Sequence, residues 1–199
     1  MSPQPPNSTY SIYRDLKPDR QDIRLVKLLP SEDRKDPLVC YLETVPLGSS
    51  PHFHSLSYAW GQWKAEVPLK IGDRQLFITV NLENALRAVR KAEEPILLWI
   101  DAICINQQNL KERNHQVQLM RQIFTTAVTV NIWLGIPFPG AQEAFEALNQ
   151  LASGVPLGMI VLKSQLKTTS VIENLTAIFK YQWWQRLWVR IGSTLLPWF

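Results

Sequence analysis

Ile96-Leu-Leu-Trp-Ile-Asp101 is an apolar run of strand length closed by a carboxylate. A continuous run of this kind is typical of a strand covered on both faces. Upstream, Leu82, Ala85, Leu86 and Val89 fall on one stripe of a helix over 82–92 that Asn81 can cap and Pro95 ends. Downstream, the spacing predicts a second helix over 110–126, with Leu110, Val117, Met120, Phe124 and Ala127 facing inward. Val128-Thr-Val-Asn-Ile-Trp-Leu134 then reads as another buried strand, stopped by Gly135. Ser55-Leu-Ser-Tyr-Ala-Trp60 is a short apolar strand stopped by Gly61. Strand, helix, strand, helix, strand over 55–134 argues for βαβ units. The expected fold class is α/β, with a mainly parallel central sheet containing Leu56–Trp60, Ile96–Asp101 and Val128–Leu134, and helices packed on it.

Working outward, Arg24-Leu-Val-Lys-Leu-Leu29 and Leu38–Val45 read as two paired strands joined by the charged turn Ser31–Pro37, an N-terminal antiparallel addition to the sheet. Leu69-Lys-Ile71 and Gln75–Val80 form a hairpin around Gly72-Asp73. Beyond the second helix and its strand come a helix over Gln142–Leu151, a loop over Gly154–Gly158 and a helix over Val171–Tyr181. Arg186-Leu-Trp-Val189 reads as a last strand or the start of a helix. Residues 1–9, rich in Pro, Ser and Asn, read as a disordered lead-in to a single domain over 10–192.

In 199 residues, hydrophobic side chains make up 46% and charged ones 19%, which allows a sizeable core and excludes wholesale disorder. The uncharged run Gln122–Gln142 contains Asn131, Gly135, Pro137 and Pro139, too polar and broken to span a bilayer. The start, Met1-Ser-Pro-Gln-Pro-Pro-Asn7, has no basic and apolar segments of a secretory signal, so a cytoplasmic protein without a membrane partner is expected. Cys40 and Cys104 lie outside any metal-ligand spacing and read as buried reduced thiols. His52 and His54 form an H-x-H pair, with His115 far away in sequence, and no metal site is expected. The net charge of +4 is contributed by the last 49 residues, where Lys163, Lys167, Lys180, Arg186 and Arg190 are dispersed around a single acid. A nucleic-acid footprint needs clustered charge, and none of the familiar binding signatures is present, so a nucleic-acid-binding module is the last of the readings and no nucleic-acid partner is expected.

Leu56-Ser-Tyr-Ala-Trp-Gly61, Leu98-Trp-Ile-Asp-Ala-Ile-Cys-Ile-Asn-Gln107, Glu112-Arg113, Gln116-Val117, Met120, Ala127, Ile132-Trp-Leu-Gly135 and Trp183-Trp-Gln-Arg-Leu-Trp-Val189 follow one another in order. Together they resemble the heterokaryon-incompatibility (HET) domain of filamentous fungi, over roughly residues 24 to 189. The resemblance implies a role in fungal non-self recognition and programmed cell death signalling, through a protein partner or self-association. It also implies a distant, TIR/Rossmann-like fold relationship, and some TIR domains cleave NAD at the nicotinamide–ribose bond. The family's pattern continues after Val189 into a Gln-Glu pair. Here Gly192 stands where the Glu is expected, and residues 193–199 form an apolar tail outside the pattern. The resemblance therefore implies a truncated or degenerate member; an active TIR-like NAD glycohydrolase is the alternative.

Cleaving that bond develops positive charge on the ribose, which a nearby carboxylate stabilises. Ligands of parallel sheets bind beyond the carboxyl ends of the strands, here Trp60-Gly61, Asp101–Gln107 and Trp133–Gly135. For NAD as a substrate, the resemblance implies Asp101 and Glu112 as candidate catalytic carboxylates and Tyr58, Trp60, Gly61, Asn106 and Arg113 as candidate binding residues. Trp60 is the best ligand-facing aromatic, whereas Trp99, inside its apolar run, belongs to the core. Each polar residue also has a structural reading. Asp101 can brace its loop by accepting from the Ile103 or Cys104 amides, and Asn106 can cap a helix. Glu112, Arg113 and Gln116 can form a buried network joining their helix to Asp101 or Arg186.

Overall fold

The computed structural model describes residues 12–49, 52–61, 66–164 and 167–185. Arg186, Trp188 and Gly192, which figure in the expectations above, lie outside the described residues, as do the lead-in and the tail. The described chain forms two compact units that divide after Trp133.

The first unit is built on β1 (Asp22–Leu28), β2 (Val39–Pro46), β3 (His54–Tyr58), β4 (Val67–Ile71) and β5 (Arg74–Ile78), then α1 (Val80–Val89), β6 (Ile96–Trp99), α2 (Asp101–Cys104), α3 (Leu110–Thr126) and β7 (Thr129–Trp133). The seven strands make one sheet in the order β5-β4-β2-β1-β6-β3-β7. The α/β class is as expected, and β6, β3 and β7 are parallel neighbours. The sheet as a whole is mixed, not mainly parallel. β1 runs antiparallel to both β2 and β6, β4 is antiparallel to β5, and β2 is parallel to β4.

The N-terminal hairpin is therefore no peripheral addition: β1 occupies the middle of the sheet. Its sequence explains why. Ile23, Leu25, Val26 and Leu28 are all fully buried, and a strand that buries successive residues must be covered on both faces.

The end of the sheet brings the opposite correction. Val128, just before β7, and Val130 and Ile132 within it are 55%, 40% and 41% exposed, and among the described residues β7 is an edge strand and not a buried one. A short apolar run carries the same signal in either position, and the sheet order decides which applies. Likewise β6 ends at Trp99, and Asp101 opens α2 in place of closing the strand.

α1 begins earlier than its apolar stripe suggests. Thr79, in extended conformation after β5, caps it by accepting from the Leu82 amide at 3.2 Å. Asn81 is free for another task. α3 has the expected bounds and an Asn109 cap, but it is rotated relative to its apolar pattern. Gln116, Leu119 and Ile123 are buried, and Met120, Phe124 and Ala127 pack partly buried against the core as expected, while Leu110 and Val117 are exposed. Glu112 and Gln116 find buried polar partners, described below, and these turn a polar stripe toward the sheet. Beneath the helix, Trp99 is fully buried and meets Phe124 edge to face at 5.4 Å.

The second unit is helical in its described residues: α4 (Ala141–Ala152), α5 (Leu157–Ser164) and α6 (Thr168–Ile178). α5 starts within the stretch expected to be loop. Ala147, Ile160 and Val171 form a small core, and the Tyr181 hydroxyl donates to the Ile136 carbonyl at 3.0 Å. Among the described residues, no helix is long and apolar enough to cross a membrane.

Candidate functional site

The parallel strands β6, β3 and β7 end side by side, and four side chains tie these ends together. The Trp60 indole N–H, just past β3, lies 3.1 Å from each oxygen of the Asp101 carboxylate. Asn81, in the first turn of α1, donates to the Ala59 carbonyl at 2.7 Å and accepts from the Trp133 indole N–H at 2.9 Å. One amide side chain thus joins the end of β3 to the end of β7. Gly61 follows Trp60 with φ of 72°, a left-handed conformation that glycine adopts without strain.

The Asp101–Gln107 segment is braced from within. Asp101 Oδ1 accepts from the Ala102 amide at 2.8 Å, and the Gln107 side chain donates to the Asp101 carbonyl at 2.8 Å. The amides of Ile103 and Cys104 do not reach the Asp101 carboxylate as expected. They close on the Ile100 carbonyl at 3.0 and 2.7 Å because the segment starts a helical turn there.

Behind this segment lies a buried ion pair. Arg24 on β1 donates to both oxygens of Glu112 on α3, at 2.6 and 3.0 Å, and to the Cys104 carbonyl at 2.9 Å. Glu112 Oε1 also accepts from the Asn106 amide at 2.7 Å. The pair thereby clamps both ends of the loop between α2 and α3 onto the central strand. Two charged side chains that are 1% and 8% exposed are tolerated there because each is matched in charge and hydrogen-bonded. The Arg24 guanidinium also sits 4.8 Å from the centre of the Tyr13 ring. Burial is the main cause that pushes the Tyr13 phenol and the Cys104 thiol up to about 12, with Arg24 pulling both the other way. Gln116 completes the helix's polar side by donating to the Asp22 carbonyl at 2.9 Å.

The expected site residues therefore divide. Trp60 and Asp101 are brought together, with Trp60 half-buried and Gly61 exposed beside it. Tyr58 is buried in β3, and Asn106 is half-buried, its side-chain oxygen accepting from the Gln108 amide at 3.2 Å. Glu112 faces Arg24. Arg113 is exposed and makes no ion pair among the described residues; of the two partners expected for the α3 network, Arg186 lies outside the described residues and Asp101 is not joined to it, and Glu112 pairs with Arg24 on β1. Of the histidines, His52 is exposed and His54 lies in β3. No three His, Cys, Asp or Glu side chains among the described residues cluster for a metal.

Two participants were missed in the sequence. Arg24 carried a weak signal, a charge set between the apolar Ile23 and Leu25 in a strand that also holds Asp22 and Lys27. Asn81 carried a misleading one, since its position suits a helix cap.

The arrangement is that of an α/β protein whose parallel-strand ends are bound together by tryptophan–carboxylate and tryptophan–amide contacts. A family model described as heterokaryon incompatibility protein (HET) matches residues 53–190, and the chain belongs to that family. It is 35% identical over 142 residues to the heterokaryon incompatibility protein 6, OR allele, of Neurospora crassa. The match covers 65% of this chain and 21% of that relative, so the chain spans about a fifth of the relative's length. No solved structure matches the chain.

Proposed function

We propose that the chain is a signalling module of fungal non-self recognition whose output is programmed cell death, acting by protein contact, with a partner or with itself, and not by cleaving NAD. The observation that carries this reading is the Arg24–Glu112 pair. A carboxylate held by a buried guanidinium and a loop amide stabilises the fold and is not presented to a ribose. Gly192, where the family's pattern has a glutamate, offers no side chain to replace it.

A second reading, an NAD glycohydrolase at the same strand ends, is favoured by Asp101. Its carboxylate stands at the carboxyl edge of the parallel strands beside the half-buried indole of Trp60, and such a pair suits a ring that acquires positive charge.

The test is nicotinamide release by the purified chain incubated with NAD, beside viability of a fungal host expressing it. The reading expects no release above the enzyme-free rate together with loss of viability. Release that Asp101→Ala abolishes establishes the second reading instead. Unimpaired growth of the expressing host overturns the assignment to death signalling.

A further inference from the structure

We infer that residues 12–17 form a releasable strap, hinged at Gln21, whose docking over the Arg24–Glu112 pair controls how firmly the loop from Cys104 to Asn109 is held at the strand ends. The inference goes beyond the signalling reading and does not depend on it.

The strap is attached at few points. Ahead of β1, residues 13–17 join neither a helix nor a strand. Ile12 packs against the core. The Tyr13 ring lies against the Arg24 guanidinium, and the Arg14 carbonyl accepts from Arg24 Nη2 at 2.5 Å. Both contacts fall on one side chain, so they form and break together. Lys17 adds its amide, 3.3 Å from the Asp22 carboxylate, at the long end of hydrogen bonding. Arg14, Asp15 and Lys17 are exposed. A segment with so little burial and so few backbone bonds opens at lower cost than the strands behind it.

Strain marks the hinge. A turn of 3-10 helix over Pro18–Arg20 leads from the strap toward β1 and ends at Gln21, with φ of 49° and ψ of 42°. Among the described residues, Gln21 alone has a positive φ without being a glycine, and this conformation crowds a side chain. Its carbonyl accepts from the Leu47 amide at 3.1 Å, which anchors the β1 side. Its amide donates to the Pro18 carbonyl at 3.0 Å, which folds the strap back over Arg24. The strap's contacts offset the strain only while it is docked, which leaves two states, docked and released.

Release changes the ion pair. Arg24 Nη2 loses an acceptor and the guanidinium loses its aromatic cover, so water reaches a pair that is otherwise sealed and weakens its attraction. That pair holds the loop through the Cys104 carbonyl and the Asn106 amide. The loop in turn carries Gln107, whose side chain braces the Asp101 carbonyl. A continuous run of contacts therefore leads from the strap to the Asp101–Trp60 corner, and releasing the strap loosens that corner.

The experiment combines tryptic cleavage with amide exchange on the wild type, Gln21→Pro, Gln21→Gly and Tyr13→Ala. Cleavage after Arg14 needs the carbonyl that Arg24 holds, so its rate reads release of the strap. Exchange over 105–113 reads the loop. Proline cannot adopt a positive φ and has no amide for the Pro18 carbonyl, so Gln21→Pro is expected to speed both by about tenfold or more. Tyr13→Ala should speed both as well, through the guanidinium. Glycine takes the left-handed turn without strain, so Gln21→Gly should speed neither. Exchange over 74–78 and 96–99 should match the wild type throughout. A folded Gln21→Pro or Tyr13→Ala chain cleaved after Arg14 at the wild-type rate overturns the inference. So does faster cleavage with unchanged exchange over 105–113, or a Gln21→Gly chain cleaved as fast as Gln21→Pro. Exchange that rises equally over 74–78, 96–99 and 105–113 also overturns it, because the strap then belongs to the cooperative fold. If Gln21→Pro does not fold, Tyr13→Ala decides by the same criteria.

Discussion

Arg24 of β1 and Glu112 of α3 join across 88 residues of chain through a two-pronged ion pair. This contact fixes the rotation of α3 on the sheet. With Glu112 and Gln116 drawn inward, Leu119 and Ile123 follow on the same face, and Leu110 and Val117 are left outside.

Breaking that pair from one side strands a buried charge. Glu112→Gln, or Arg24→Met, is expected to lower unfolding free energy by about 3–5 kcal/mol, read from urea denaturation. The double variant Arg24→Met/Glu112→Leu removes both charges and should cost clearly less than the sum of the single variants. Strict additivity would show that the two side chains do not support each other.

Asp101 offers a finer test at the strand ends. Asp101→Ala removes the acceptor of the Trp60 indole and of the Ala102 amide, and should cost about 1–3 kcal/mol. Asp101→Asn keeps a carbonyl oxygen and should cost less. The Trp60 indole proton resonance, followed by NMR, should shift in the alanine variant. If neither stability nor that resonance changes, the contact with Trp60 contributes nothing to the fold.

Proton linkage gives a third expectation. Burial pushes the Cys40 and Cys104 thiols from 9.0 to about 12, and is the main cause that pushes the Tyr13 phenol from 10.0 to about 12. Above pH 9 the unfolded chain releases protons that the folded chain still holds, so alkali favours unfolding. These groups contribute fully below pH 9, and their contribution is lost as pH rises toward 12. The urea midpoint should therefore fall with pH through that window, and less steeply in Cys40→Ala/Cys104→Ala. In the folded protein at pH 8, a thiol reagent should label neither cysteine, since both are buried. Prompt labelling would place a thiol at the surface.

The sequence by itself determined the elements of the first unit and much of their order. Apolar runs of strand length, a striped helix before Ile96 and a helix over 110–126 are local patterns, and local hydrophobic periodicity reports local structure directly. The ordered blocks from Leu56 to Trp183 likewise sufficed to identify the family that the matched model then established. Trp99 could be assigned to the core because no polar residue interrupts its run.

Only the tertiary structure decided what depends on partners distant in the chain. Whether an apolar strand lies in the middle of a sheet or at its edge is a property of the sheet, so β1 and β7 changed places relative to expectation. Whether a carboxylate faces ligand or protein depends on what folds against it. Glu112 is held by an arginine 88 residues away, and Asp101 by an indole 41 residues away. Asn81 had the position of a helix cap, yet Thr79 took that role and the amide bridged Ala59 to Trp133, 52 residues downstream. Charge and hydrogen-bonding capacity are written in the residue, but their satisfaction is set by the fold that brings the second group within about 3 Å.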